Sequence, residues 1–357
     1  MLGNAESIEL LEHWLRQAKK GHVAYVAVAA VENPQRVAYD YAGAYDCEEA
    51  AQQTLKELQQ ELEQIYVARR MGPRDFSFDA ACVEWPLSGI APVNWDFLTW
   101  LIDAEMTRRR EGAPFPLRVG FSKEELLGTE KRQFFNSVLR PLVPTIGGIV
   151  TPRAIGGRHK RFYMTSDIVV ASRRGEEVPQ VKATRSGSEV VTSYLHGVKP
   201  VTITLREACH LPWRNSSVEA WCHFAHDLEA KGQPVVFVRD TAKAMVPLNG
   251  FATFPRAAFD VDIRLALYEQ SRANLFVSNG PGALAWFSDR PYAYLVNLKS
   301  GLSDEWEPND PEWWYGAMGI NVGEQWPWAQ PDQQLVWKED TYSNISEAWE
   351  WLSEKAK

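Results

Sequence analysis

The stretch from Val201 to Leu298 constrains this chain more than any other, because short apolar runs and amphipathic segments alternate through it without a break. Val201–Arg206 (VTITLR), Pro234–Asp240 (PVVFVRD), Asn274–Ser278 (NLFVS) and Tyr292–Leu298 are too short for helices and rich in β-branched and aromatic residues, as strands are. Between them, Ser216–Lys231, Asp262–Arg272 and Gly282–Ser288 read as helices, the first with serines ready to cap it. Parallel strands need crossovers of about this length, so the pattern predicts a parallel sheet with helices on its faces.

The alternation recurs upstream: strand Phe78–Trp85, helix Asn94–Arg110, strand Leu117–Phe121 and helix Glu130–Ile146. Arg173–Gly197, rich in Gly, Ser, Thr and charge, reads as irregular. The first seventy residues read as a helix (Ser7–Lys20), an apolar run (His22–Val31) and a long helix (Cys47–Arg70), with Met71–Arg74 as a linker. At 357 residues the chain is longer than single cores usually grow. The expected architecture is α/β, two Rossmann-like lobes with a small N-terminal α/β accessory unit. The accessory unit spans 1–72, the lobes 73–197 and 198–330, and a strand and helix at 331–357 pack back across the lobes.

Composition removes several function classes. A net charge of −8 argues against binding nucleic-acid backbones. Arg108–Arg110 reads as a solvated helix end; the Arg153–Arg161 cluster, with Gly156 and Gly157 inside it, has a composition able to hold an anion. The four cysteines form no CxxC pair, so neither a disulfide framework nor a structural zinc site is expected. No window reaches the ~18 apolar residues of a membrane span, and the N-terminus has no signal-peptide core, which predicts a cytoplasmic protein. Eight tryptophans fall between Trp306 and Trp351; they are read as packing residues in preference to a surface for stacking sugars or bases.

The strongest local signal is Ser278-Asn279-Gly280-Pro281-Gly282, which leaves one strand and opens a helix. Ligands of open α/β sheets bind beyond the carboxyl ends of the strands, where glycines admit close approach and a helix N-terminus attracts phosphate. A tight turn with nothing bound is the competing reading. The turn is neither a Walker loop nor a G-x-G-x-x-G fingerprint. Asp260-Val261-Asp262 invites a metal-binding reading but stands at a helix start, where Asp serves as a cap. His223 and His226 have no Glu partner of the zincin kind, His210 sits in a loop able to approach a ligand, and no G-x-S-x-G elbow exists. No metal and no cofactor are expected.

The succession of a strand ending at Arg206, a strand ending Arg239-Asp240, and then F-V-S-N-G-P-G-A-L-A-W-F resembles the C-terminal donor domain of GT-B glycosyltransferases, fucosyltransferase-like or heptosyltransferase-like. The resemblance covers about 130 residues. It lacks the acidic residue of heptosyltransferases in that turn and the Arg-Arg-Gly-Asp signature of many fucosyltransferases, since Glu207 and Ala208 follow Arg206. It implies a metal-independent transfer of sugar from a nucleotide-activated donor to a glycan or other hydroxyl acceptor. Ser278, Asn279, Gly280 and Gly282 would meet the donor diphosphate, with Arg206, Arg214 and Arg239 converging on it. Glu84, taken to lie after the first strand of the N-terminal lobe, and Glu207 are the candidate bases for the acceptor hydroxyl, with Arg206 the third catalytic candidate. A nucleotide-sugar epimerase or hydrolase, and a non-catalytic nucleotide-binding or partner protein, are the alternatives.

Overall fold

A computed structural model of the chain describes residues 82–85, 87, 93–113, 115–121, 127–151, 165–209, 212–248, 250–297 and 318–356. The accessory unit at 1–72, its linker, the Arg153–Arg161 cluster, His210, Trp306, Trp313 and Trp314 lie outside these residues. No helix among the described residues is long and apolar enough to cross a membrane.

The chain divides into two compact units, and the division interleaves along the sequence. Met1–Pro92, Ala113–Glu125 and Thr151–Arg161 form one; Val93–Gly112, Leu126–Val150 and Phe162–Lys357 form the other. The helices expected in the 73–197 lobe thus group with the C-terminal sheet. Strands β1 (Cys82–Trp85) and β2 (Arg118–Phe121) pair in parallel with Val83 opposite Val119, and β3 (Ile149–Thr151) completes a three-stranded sheet ordered β1-β2-β3. Val83, Trp85, Val119 and Phe121 are buried.

In the second unit, helix α1 (Asp96–Arg110) is buried continuously from Phe97 to Thr107, which marks a core helix rather than a surface one. Its basic end behaves as expected of a solvated terminus, since Arg108 and Arg109 bond Glu105, and Arg110 pairs with Glu176. The single helix expected at 130–146 is three pieces: α2 (Thr129–Phe134), a π turn at Phe135–Leu139, and α3 (Arg140–Thr145). The wider turn falls just ahead of Pro141, which has no N–H to continue the ladder. Helix α4 (Thr165–Arg173) follows.

The segment Arg173–Gly197 is not irregular throughout, because it contains α5 (Arg185–Leu195). Thr184 caps this helix by accepting from Gly187 N, and Thr184 is itself held by Asp262, which accepts from its N at 2.7 Å and its Oγ1 at 2.6 Å. A Cβ on Gly187 would stand 2.5 Å from Asp262 Oδ2, so the residue that looked like a helix breaker is the one that fits. Val191 and Leu195 supply the buried face.

From here the alternation is realised. Strand β4 (Val201–Thr204) is followed by α6 (Val218–Ala230), β5 (Val235–Val238), α7 (Arg256–Phe259), α8 (Val261–Gln270), β6 (Ala273–Val277), α9 (Ala283–Trp286), β7 (Tyr292–Leu295), β8 (Gln333–Val336) and α10 (Tyr342–Lys355). All five strands are parallel, in the order β5-β4-β6-β7-β8. One face packs Ile203, Phe237 and Leu275 against Trp221 of α6 and Leu352 of α10. The other packs Val236 and Val238 against Val191 of α5 and Ile263 and Leu267 of α8. The sheet is doubly wound, covered by helices on both sides.

One tail expectation changes. The strand and helix at 331–357 do not cross between lobes: β8 is the fifth strand of this sheet, pairing Tyr294 with Leu335, and α10 lies in the same core. The described tryptophans pack as expected. Trp328 stacks on Phe287 and on Trp326 at interplanar angles of 10° and 11°, and Trp349 lies under Arg272. The Asp-x-Asp segment is structural: Asp260 Oδ1 accepts from Asp262 N and Ile263 N as the cap of α8, while Asp262 is spent on Thr184.

Candidate functional site at the carboxyl edge of the sheet

In the order β5-β4-β6-β7-β8 the chain leaves β4 toward one side and reaches β6 on the other, so the winding direction reverses between these two strands. At such a switch point the loops diverge and leave a crevice outside the strands' carboxyl ends. Arg206 stands two residues beyond β4, Ser278 one residue beyond β6, and the two strands pair Thr204 with Phe276. The topology therefore brings the two strongest sequence signals to one place.

Arg206 is 7% exposed. Its backbone N donates to Ser216 Oγ at 2.8 Å and its Nη1 to Asn215 Oδ1. Asn215 Oδ1 also accepts from Ala208 N and its Nδ2 donates to Ala208 O, so it clamps the loop that carries both arginines. Arg214 lies in a 3₁₀ turn (Pro212–Arg214), and its Nη2 donates to Ser278 Oγ at 3.3 Å. Burial, reinforced by the positive charge of Arg214, pushes the Arg206 guanidinium below its ordinary pKa; Asp240 and Tyr294 oppose the shift. Two cations thus share a partly desolvated corner, an arrangement that an anion relieves.

Arg239 does not join them. Its Nε donates to Glu207 Oε2 at 2.9 Å, its Nη2 to Glu207 Oε1, and its Nη1 to the carbonyls of Val246 and Pro247. The two side chains are 8% and 11% exposed, and the carboxylate raises the arginine's pKa. A buried bidentate pair of this kind commits both residues to each other. Neither Arg239 as a phosphate ligand nor Glu207 as an acceptor base is presented in a ready state. Glu84 lies within β1, opposite Gly120 and not past the strand's end, and belongs to the other compact unit.

The turn after β6 spends most of its backbone donors on β7 and on itself. Ser278 N donates to Leu295 O, Asn279 N to Tyr294 Oη at 3.0 Å, and Gly282 N to Asn279 Oδ1 at 2.7 Å. Ala283, Leu284 and Ala285 N–H groups bond carbonyls within the turn, and α9 is a single turn of four residues. The helix-dipole reading of this motif is therefore corrected: such a short helix brings little dipole to a ligand. Burial pushes the pKa of Tyr294 up, which keeps its hydroxyl neutral, donating to Asn279 O while accepting from Asn279 N.

The glycines also have a different cause from the one expected. A Cβ at Gly280 would lie 2.2 Å from Cδ1 of Trp95, and one at Gly282 would lie 2.4 Å from Cε2 of Tyr294. They admit aromatic rings, which pin the turn, rather than a ligand. Trp95 in turn stands edge-on to Phe134 at 5.8 Å. What the turn offers a ligand is a side chain: Asn279 is 8% exposed, its Oδ1 is used by Gly282, and its buried Nδ2 has no partner. His223 stacks on Tyr342 and His226 is 77% exposed beside Asp227, both away from this edge on α6.

Asn215, Tyr294 and Trp95 were not legible as site residues. Asn215 reads only as the last residue of the loop before the helix expected from Ser216, and nothing in the spacing ties Trp95 to a glycine almost two hundred residues later.

No protein-family model matches the chain, and no curated protein sequence matches it. Among solved structures, the chain is similar to a glycosyl transferase of family 9 from Veillonella parvula DSM 2008 at 11% identity and a TM-score of 0.43, covering 76% of this chain and 96% of that one. It is also similar to the ADP-heptose lipopolysaccharide heptosyltransferase II of E. coli at 12% identity and a TM-score of 0.38, covering 72% of this chain and 75% of that one. Superpositions this loose assign neither fold nor substrate.

Proposed function

We propose that the carboxyl edge of the five-stranded sheet binds the diphosphate of a nucleotide-activated sugar, and that the protein transfers the sugar to a glycan or other hydroxyl acceptor without a metal. The observation that carries this reading is the pair Arg206 and Arg214, two guanidiniums drawn together at the switch point beside an unpartnered Asn279 amide donor. The order of motifs that resembles GT-B donor domains supports it from the sequence side.

In such a transfer the bond between the anomeric carbon and the diphosphate oxygen breaks while the acceptor oxygen bonds that carbon and loses its proton. Charge accumulates on the departing diphosphate. Arg206 and Arg214, fixed by Asn215 and Ser278, supply preorganised positive charge where it builds up. The acceptor's proton needs a base, and the engagement of Glu207 by Arg239 favours a second reading, in which the protein binds the nucleotide without turning it over.

Thermal unfolding with pyrophosphate, nucleoside diphosphates and nucleotide sugars tests the site. A ligand at ~100 times its dissociation constant stabilises the fold by about 2.7 kcal/mol, and Arg206→Ala and Arg214→Ala should each remove about half of that gain or more. Release of nucleoside diphosphate that requires an added acceptor identifies the transferase; release without acceptor identifies a hydrolase, and binding with no release the non-catalytic protein. If no phosphorylated ligand shifts unfolding, the site has been misread.

A further inference from the structure

One side chain at the same edge is buried without a hydrogen bond of its own. Asn297 is fully buried, and neither its Oδ1 nor its Nδ2 has a hydrogen-bond partner. Buried carboxamides are almost always satisfied, so one unmet at both ends asks for an explanation in bound chemistry. The backbone there is fixed: Asn297 N donates to Lys338 O at 3.2 Å, extending the β7–β8 ladder. Its φ is 56°, the left-handed region, which a non-glycine residue holds at a cost and which gathers at ligand clamps.

Register places this residue beside the anion site. Strands β6 and β7 pair Val277 with Leu295, and Asn279 and Asn297 each lie two residues beyond that pair at the carboxyl edge. The two asparagines differ in what they offer. Asn279 leaves only a donor, Nδ2, because Gly282 takes its oxygen. Together with Arg206 and Arg214 this is a set of donors, suited to phosphate, which has only acceptors to give in its ionised form. Asn297 leaves an acceptor as well, and phosphate cannot satisfy it. An O–H group does, since it donates to Oδ1 and accepts from Nδ2.

Resting on the reading of the site as a sugar-phosphate site, we propose that the Asn297 carboxamide reads a sugar hydroxyl of the ligand whose phosphate is held by Arg206 and Arg214. The hydroxyl belongs either to the nucleoside's ribose or to the transferred sugar, and the choice of probe separates the two.

The test is calorimetric titration of the full chain with pyrophosphate, glucose 1-phosphate, the diphosphates UDP, GDP and ADP, and UDP-glucose, GDP-mannose and ADP-glucose. Asn297→Gly suits the left-handed backbone while deleting the carboxamide. The expected result is pyrophosphate affinity within twofold of the parent and a loss of roughly tenfold for a sugar-bearing ligand, the size of a buried hydrogen bond. A loss already present with the diphosphates, and absent when a 2′- or 3′-deoxynucleoside diphosphate is the ligand, places the hydroxyl on ribose; the same loss retained in full by both deoxy forms places the partner on the base and overturns the proposal; a loss confined to glucose 1-phosphate and the nucleotide sugars places the hydroxyl on the transferred sugar. Should the glycine variant fail to fold, deoxy analogues of the tightest sugar ligand on the unaltered protein make the same test: one hydroxyl deletion should cost the same tenfold.

The proposal is overturned if Asn297→Gly binds every ligand as the parent does, if pyrophosphate weakens equally, or if no deoxy analogue loses affinity. These failures leave pyrophosphate binding and its dependence on Arg214 intact. If instead pyrophosphate does not bind, or Arg214→Ala does not weaken it, the site reading itself falls and this inference with it.

Discussion

Arg206 and Arg239 leave neighbouring strands of one sheet, β4 and β5, at nearly the same depth of burial, yet they meet opposite surroundings. Arg239 is neutralised at close range by Glu207, and its charge is used up inside the protein. Arg206 bonds a neutral amide and faces a second cation, Arg214, with Asp240 only a partial counterweight. A sequence reading that scores arginines at strand ends treats the two alike. What separates them is the company each keeps: the buried guanidinium of Arg239 is paired with a carboxylate, and that of Arg206 has the guanidinium of Arg214 for a neighbour, the arrangement on which the proposed anion site rests.

Substitutions at Glu207, Arg206, Gly280 and Asp340 press on this contrast. Glu207→Ala leaves Arg239 buried without its counter-ion and should lower stability by about 3–5 kcal/mol, read from urea unfolding. If Glu207→Gln abolished transfer while leaving the unfolding midpoint almost unmoved, the pair would be catalytic and the contrast would break. Arg206→Ala should do the reverse: pyrophosphate binding weakens by about 1.5–3 kcal/mol in calorimetry, the worth of a charged hydrogen bond, with less effect on unfolding than Glu207→Ala. Gly280→Ala forces a methyl into the Trp95 ring and should cost about 1–3 kcal/mol in thermal unfolding, with much of the loss recovered in the Trp95→Ala background. Recovery would show that the turn beside the arginines is held by packing and not by its backbone bonds. Asp340→Ala removes the acceptor for Ser217 N and for the buried Trp221 Nε1 and should cost about 1–3 kcal/mol, the range for a buried donor left unsatisfied. A fall in pyrophosphate affinity accompanying that loss would show that Arg214 depends on the start of α6 for its position.

The parallel sheet was readable because β4, β5, β6 and β7 are buried on both faces, so their sequences are free of charge and mostly apolar, with Thr202, Thr204 and Asn274 as the polar exceptions. Helix α5 was not, because its glycine and serines look like loop residues until Asp262, seventy-eight positions away, is seen to hold Thr184 and fill the space over Gly187. The serine cap expected for α6 is similarly displaced: neither Ser216 nor Ser217 caps it through its side chain, and Asp340 accepts instead. At the site, Arg206, Arg214, Ser278 and Asn279 were legible because strand ends and glycine-rich turns mark the edge of any such sheet. The fates of Glu207 and Arg239 were not, since a salt bridge between adjacent loops leaves no trace in spacing. Asn297 was silent for the same reason: an orphaned amide is a property of the surroundings, and a sequence shows only the residue.

The bond from Ser217 N to Asp340 spans 123 residues. During synthesis at about 10 residues per second, the loop bearing Arg214 would emerge roughly ten seconds before the carboxylate that caps the helix behind it. Strand β8 and helix α10 come with that same late segment. The loop that would grip phosphate is therefore made midway through the unit and finished only near its end, so a nascent chain carries the arginines well before it holds them in place.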